Sequence, residues 1–100
     1  DFPKDAIPYL DEKKVTLVFS NTTEGKKSWS VTTTVDKSVD DAVAHFESTL
    51  VEPNYTEVSS YGYNDTSTFS ARTAVYSIYV TVSKSENDPD TVVSYVISQE

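Results

Sequence analysis

The sequence predicts an α+β domain, a two-layer structure in which one helix packs on one face of an antiparallel sheet, with the element order ββαββββ. Several short runs alternate apolar and polar residues with a period of two, which is typical of strands that bury one face. A single run, from Ser38 to Leu50, has the spacing of an amphipathic helix. Because 100 residues supply enough material for one core, we predict one domain that spans residues 1–100.

Residues 1–14 are predicted to form an extended N-terminal arm. Pro3 and Pro8 fix their own backbone φ and disfavour helical geometry in the residues before them. The apolar side chains of this arm either pack along the edge of the domain or belong to an unattached tail, and the sequence leaves both arrangements open.

Two half-buried strands follow, and we expect them to pair as an antiparallel hairpin. In the first, Val15, Leu17 and Phe19 recur at every second position, and residues 29–35 repeat the pattern in the second. The segment 21–27 between them is polar with one glycine, which predicts a hairpin loop of moderate length.

The helix is predicted to begin at Ser38 and to end near Val51. Ser38 followed by Asp41 gives the spacing of a capping box, and Pro53 cannot continue a helix. The apolar stripe of this helix consists of Val39, Val43, Phe46 and Leu50, with Ala42 beside them.

Four further strands are predicted at residues 55–61, 67–72, 74–83 and 91–98. The run 74–83 has the clearest alternation, because its even-numbered positions are all apolar or aromatic. Turn-forming residues at 62–65 and 86–90 separate these strands.

The predicted sheet offers one face to the helix and leaves a second face made mostly of Ser, Thr and Tyr. Tyr76 and Tyr95 share their strand faces with Ile and Val, so we expect both to be buried. Tyr61, Tyr63 and Tyr79 are instead predicted to be exposed, and exposed tyrosine on a sheet often stacks on sugars or anchors partner proteins. These three are the candidate ligand-binding residues, and the alternative is that they only fill the sheet surface.

No motif of catalytic or metal-binding chemistry is found, so we assign no catalytic residue, no metal ligand and no cofactor. His45 lies four residues after Asp41 on the predicted helix, where the two could act as acid and base. No nucleophile motif accompanies them, and a structural or solvated histidine is favoured. The acidic segment 86–90 offers oxygen ligands for calcium, but it lacks EF-hand spacing and is favoured as an ordinary turn.

Asn21, Asn54 and Asn64 each begin an Asn-x-Ser/Thr glycosylation sequence in or beside a predicted loop. In a chain so rich in Ser and Thr, such matches also arise by chance. Whether any of the three is modified stays open.

Charge and composition limit the partners. With 16 acidic and 8 basic residues the formal net charge is −8, which disfavours nucleic acid and anionic membrane surfaces. No apolar run approaches the roughly 20 residues that a membrane span requires, so we expect no direct membrane insertion. The absence of cysteine excludes disulfides and thiol chemistry. The partners we expect are an unknown protein, an envelope polymer, or a second copy bound through the open sheet face.

Four segments together resemble small secreted or lipoprotein-type domains of unknown function in actinobacteria. They are residues 2–8 (FPKDAIP), 29–32 (WSVT), 38–50 (SVDDAVAHFESTL) and 91–96 (TVVSYV). The resemblance implies an exported sheet-and-helix domain that follows a cleaved signal or a lipidated cysteine. It implies no catalytic residues.

From these observations we expect a non-catalytic extracytoplasmic domain that acts through its surface in the cell envelope. The first residue is Asp1 rather than Met, which is typical of a trimmed mature fragment, and whether a secretory signal or a lipid anchor preceded it stays open. The alternative is a glycan- or peptide-binding module that uses the exposed tyrosines. An enzyme is disfavoured, and a deep pocket lined with carboxylates around His45 would be needed to support one.

Overall fold

The computed structural model describes residues 14–63, 66–84 and 90–99, so the predicted arm, apart from Lys14, lies outside the described residues. The elements follow the predicted order ββαββββ. They are β1 (Lys14–Thr23), β2 (Lys26–Val35), α1 (Val39–Thr49), β3 (Thr56–Tyr63), β4 (Thr66–Arg72), β5 (Tyr76–Lys84) and β6 (Thr91–Gln99).

The six strands form one antiparallel sheet in the spatial order β1-β2-β6-β5-β4-β3. The hairpin β1–β2 joins the meander β3–β6 where β2 pairs with β6, with Val31 opposite Tyr95. Strands β1 and β3 are therefore the two edges, and the connection through α1 leads from β2 to the far edge. The predicted class, an antiparallel sheet with one helix, is confirmed.

One face of the sheet, which we call the inner face, carries the core. Its alternate positions are buried on four strands, as the period of two predicts. They comprise Trp29, Val31 and Val35 of β2, Phe69 and Ala71 of β4, Ile78, Val80 and Val82 of β5, and Val93, Tyr95 and Ile97 of β6. Thr33 is buried among them, and its hydroxyl donates to the Val93 carbonyl at 3.2 Å, which satisfies the buried donor.

Helix α1 begins and ends as its sequence predicts. Ser38 is the N-cap, and its Oγ accepts a hydrogen bond from the backbone N–H of Asp41 at 3.1 Å. Leu50 is the C-cap, and its own N–H donates to the Phe46 carbonyl. The capping-box spacing therefore located this terminus correctly.

The buried stripe of α1 meets residues of the inner face. Ala42, Phe46 and Leu50 are buried, and the Phe46 ring centroid lies 5.8 Å from that of Phe69 and 6.1 Å from that of Tyr95. These separations are typical of packed aromatic pairs. The helical stripe predicted from spacing is thus the stripe that is buried.

Strand β1 differs from its prediction. A bulge between Val15 and Leu17 inserts one extra residue, Thr16, into β1. Val15 pairs with Thr33 and Leu17 pairs with the adjacent Thr32, so Thr16 has no paired residue on β2. Val15 and Val18 therefore share the inner face, while Leu17 and Phe19 share the opposite one. The strand is exposed on both faces rather than half-buried. The regular spacing of Val15, Leu17 and Phe19 wrongly predicted one shared face, because the bulge lies between Val15 and Leu17.

The loop between β1 and β2 is also shorter than the predicted segment 21–27. Strand pairing continues to Thr23 and resumes at Lys26, so only Glu24 and Gly25 form the turn. Both have positive φ, 52° and 79°, as a tight type I′ hairpin turn requires. The glycine accounts for one of these angles, and Glu24 adopts the other despite its side chain.

The remaining strands lie within a few residues of their predicted limits. The clearest correction is at β5, which begins at Tyr76 and leaves Ala74 and Val75 in the preceding bend. Within the part of the chain that the structure describes, no helix has the length and apolar character needed to cross a membrane.

Candidate functional site

The face of the sheet opposite the core, which we call the outer face, is hydroxyl-rich. Strand register puts its residues in rows, so that Thr32, Ser94, Thr81, Thr68 and Tyr61 lie side by side across five strands. The next row contains Ser30, Val96, Tyr79, Ser70 and Ser59. All of these side chains are half-buried or exposed, so the face presents a grid of Ser and Thr hydroxyls with two tyrosines.

Two pairs of hydroxyls on this face bond across neighbouring strands. Ser59 Oγ and Ser70 Oγ lie 2.6 Å apart, and Thr32 Oγ1 and Ser94 Oγ lie 3.3 Å apart. A hydroxyl has one donor and two acceptor sites, so each member keeps capacity for a further hydrogen bond. The face can therefore bond a polar ligand without breaking its own contacts.

Tyr61 and Tyr79 are exposed tyrosines of the outer face, as predicted from the sequence. Their exposed fractions are 61% and 52%, whereas Tyr95 is fully buried and Tyr76 packs partly against the core. They lie two strands and one row apart, which separates their Cα atoms by roughly 12 Å. Val96 lies directly opposite Tyr79 and is 44% exposed, so the ring borders a small apolar surface.

A shallow depression of about 320 Å³ lies beside Tyr79. Its lining combines a ring, two hydroxyls, a carboxylate and a guanidinium. The lining residues are Glu57, Ser70, Ala71, Arg72, Ser77, Ile78 and Tyr79. This is the place on the outer face where aromatic, neutral polar and charged groups converge.

Arg72 and Glu57 supply the charged groups of the depression. Arg72 Nη1 donates to Glu57 Oε2 at 2.9 Å. The two side chains are 50% and 65% exposed, so water screens the pair and its net contribution to stability is about 0–1 kcal/mol. Both groups therefore remain accessible for hydrogen bonds to a ligand.

Glu57 lies in a bulge of β3, beside Arg72 of the neighbouring strand. Thr56 pairs with Arg72 and Ser59 pairs with Ser70, so Glu57 and Val58 together oppose one residue of β4. Glu57 has φ +52°, a left-handed conformation that costs a residue with a Cβ roughly 1–2 kcal/mol. Sequence analysis missed both Glu57 and Arg72, because nothing in the local pattern of either strand shows that the two residues meet.

The third predicted ligand-binding residue, Tyr63, is only partly described. It ends β3, and its Cα pairs with Thr66, but its side chain lies outside the described residues. Its binding role stays a prediction that rests on sequence alone.

His45 is not part of the outer face. It lies on α1, where its ring packs edge-on against Phe46 at 5.1 Å, and its Nε2 atom is buried without a hydrogen-bond partner. No hydrogen bond or ion pair joins it to Asp41 among the described side chains. The acid and base pair considered from their spacing is not formed.

None of the other described candidates of the sequence analysis lines the depression beside Tyr79. Residues 86–89 of the acidic segment fall outside, while Asp90 is described and nearly buried. Within residues 14–63, 66–84 and 90–99, no three acidic, His or Cys side chains group in a way that could hold a metal ion. Asn21 and Asn54 are exposed, and Asn64 falls outside the described chain.

The proposal for function is based on the geometry of the outer face, because comparison with known proteins finds no match. No protein-family model, curated protein or solved structure matches this chain.

Proposed function

We propose that this chain is a non-catalytic binding domain that acts outside the cytoplasm, in the cell envelope, and that its outer face binds a glycan. The observation that carries the proposal is the convergence of Tyr79, Arg72 and Glu57 in one accessible depression on a hydroxyl-rich surface. The charged pair and the hydroxyls would bond sugar hydroxyls, and the tyrosines would stack on sugar rings.

The proposal includes a two-layer architecture, in which α1 occupies the inner face and leaves the outer face for ligand. The aromatic contacts of Phe46 with Phe69 and Tyr95 support it, since they join the buried stripe of the helix to two strands of the sheet. A sheet packed on one side only is expected to be polar on the other, which agrees with the Ser and Thr rows.

The shape of the site favours a glycan over a compact small molecule. A depression of about 320 Å³ that is wide open cannot enclose a ligand on most of its surface, as a typical small-molecule pocket does. A chain of sugars can lie flat on such a surface and contact Tyr61 as well as Tyr79. Roughly 12 Å between their Cα atoms suits contacts with different sugar units of one chain.

The extracytoplasmic location rests on composition and on the sequence resemblance. A chain without cysteine or methionine has no thiol and no thioether to be oxidised, which suits an oxidising environment. Fractionation of the native cells tests this part, and recovery only in the cytosol would contradict it.

Glycan binding can be tested by titrating the protein with soluble polysaccharides built from neutral, amino and uronic acid sugars, followed by calorimetry. Tyr79→Ala should weaken the best binder at least about tenfold, which corresponds to about 1.4 kcal/mol. Val75→Ala is the control, because Val75 is 53% exposed but lies in the bend before β5. It should leave the affinity unchanged.

Two results would contradict the proposal. One is the absence of binding by every polysaccharide at millimolar sugar concentration, and the other is an equal loss of affinity in Tyr79→Ala and Val75→Ala. Binding of unstructured peptides to the same tyrosines, with no response to sugars, would favour the alternative of a peptide-binding module.

A further inference from the structure

Strand β1 is an edge strand with apolar side chains exposed on both of its faces. Val15 and Val18 are 40% and 62% exposed on the inner face, and Leu17 and Phe19 are 57% and 63% exposed on the outer face. Single exposed apolar residues are common on protein surfaces. Four among the five residues 15–19 are different when the strand lies at the edge of the described sheet, because such an edge can pair with another strand.

The usual protections of an edge strand are weak in β1. The segment from Val15 to Thr23 contains no charged residue and no proline. The bulge interrupts the ladder only between Val15 and Leu17, so a regular stretch remains from Leu17 onward. This stretch has both the backbone groups and the side chains needed to accept a partner strand.

From these observations we propose that β1 pairs antiparallel with β1 of a second copy, about a two-fold axis at Val18. The local sequence Thr16-Leu17-Val18-Phe19-Ser20 is nearly symmetric about that residue. Such pairing brings Val18 against the partner's Val18 on the inner face and Leu17 against the partner's Phe19 on the outer face. Apolar meets apolar and hydroxyl meets hydroxyl at every position of this core, which is why a second copy suits the edge better than an unrelated strand.

The size of the contact sets its strength. The matched core from Thr16 to Ser20 is about 17 Å long, and a strip about 12 Å deep on each copy gives on the order of 400 Å² in total. This is below the roughly 1,200 Å² of stable complexes, so the dimer should be weak and reversible. The net charge of −8 on each copy opposes association, so added salt should strengthen the dimer by screening that repulsion.

Sedimentation equilibrium of the full chain tests the proposal. The average mass should rise from the 11.1 kDa of one chain toward twice that value between about 10 and 500 µM protein, and more steeply at 0.5 M than at 0.05 M salt. Val18→Lys puts two like charges opposite each other at the axis and should weaken association at least about tenfold. Val75→Lys makes the same change at a similarly exposed site away from β1 and should leave association intact.

Mixing two variants makes the test specific to self-pairing at Val18. Val18→Lys and Val18→Glu should each be monomeric, whereas their mixture should dimerise, since opposite charges then meet at the axis. A chain that stays monomeric at 500 µM in high salt would overturn the proposal. It would do so equally if hydrogen exchange showed that β1 of the monomer is protected by residues 1–13 of the same chain. Dimerisation unaffected by Val18→Lys would overturn it as well. None of these results depends on glycan binding.

Discussion

The replacement Phe46→Ala is the sharpest test of the packing between α1 and the sheet. Phe46 is fully buried, and its ring lies within about 6 Å of those of Phe69 and Tyr95. Truncating a buried phenylalanine to alanine removes the transfer free energy of the ring and leaves a cavity, at a cost of about 3–5 kcal/mol. A domain of this size loses roughly 4–8 °C of melting temperature per kcal/mol, so Tm should fall by at least about 12 °C.

The same replacement at Phe19 provides a matched control. Phe19 is 63% exposed on β1, so Phe19→Ala should change the free energy of unfolding by less than about 1 kcal/mol. Urea unfolding followed by circular dichroism at 5 µM protein measures both variants while keeping self-association low. If Phe46→Ala prevents folding, Phe46→Leu gives a milder loss of about 1–1.5 kcal/mol. Equal and small effects at the two positions would refute the two-layer packing.

Three further predictions concern single contacts. Glu57→Gly should relieve the backbone strain at φ +52° and leave the free energy of unfolding unchanged or raise it by up to about 1 kcal/mol. Glycan affinity should fall, because the carboxylate is removed. A loss of stability together with the loss of affinity would mean that the bulge is not strained. Burial, and to a lesser degree the nearby Glu52, raises the pKa of Tyr55 above its ordinary value of 10.0. Its contribution to stability is therefore present below pH 10.0 and lost as pH rises through the raised pKa, and Tyr55→Phe should reduce this alkaline loss in pH-dependent urea melts. Ser38→Ala removes the side-chain bond to the N–H of Asp41 and should cost about 1 kcal/mol, measured by the same melts; a change below 0.3 kcal/mol would show that the cap is dispensable.

The predictable parts of the fold are those whose signals are local. The helix was located by a cap and a stripe that lie within 13 residues of one another, so one short segment carries both signals although the stripe packs on the sheet. The alternation along β5 likewise identified its buried face, because Ile78, Val80 and Val82 each report the same side of one straight strand.

Strand order could not be predicted in the same way. The hairpin and the meander become one sheet when β2 pairs with β6. The bonded residues Thr33 and Val93 of these strands are 60 positions apart. Such pairing depends on which faces and edges remain after the hairpin and the meander have formed, and no local motif encodes it. The exposure of β1 was missed for a related reason, since its apolar residues look the same in sequence whether or not another strand covers them.

The candidate site also has one part that local sequence patterns predict and one part that they do not. Exposure of Tyr61 and Tyr79 followed from the period of two, because each strand is regular at that point. The meeting of Glu57 with Arg72 did not, because it depends on the register between β3 and β4, which no pattern within either strand encodes. Because Glu57 lies four residues before Tyr61, strict alternation also puts it on the outer face, so the period of two predicts its side but not its partner on β4.

The distribution of charge narrows the ligand further. The chain has a net charge of −8, yet Asp40 and Asp41 belong to the first turn of α1 and Glu52 to the turn after it, so none of the three is in a strand row of the outer face. Among the outer-face side chains that the structure describes, charge is confined to the Glu57 and Arg72 pair and to Lys26 at the hairpin end. A polyanion would meet one guanidinium already bonded to a carboxylate, and a polycation would find no acidic cluster there. A neutral ligand rich in hydroxyls matches both the uncharged rows and the single charged pair, which is why a glycan is a better candidate than a charged polymer.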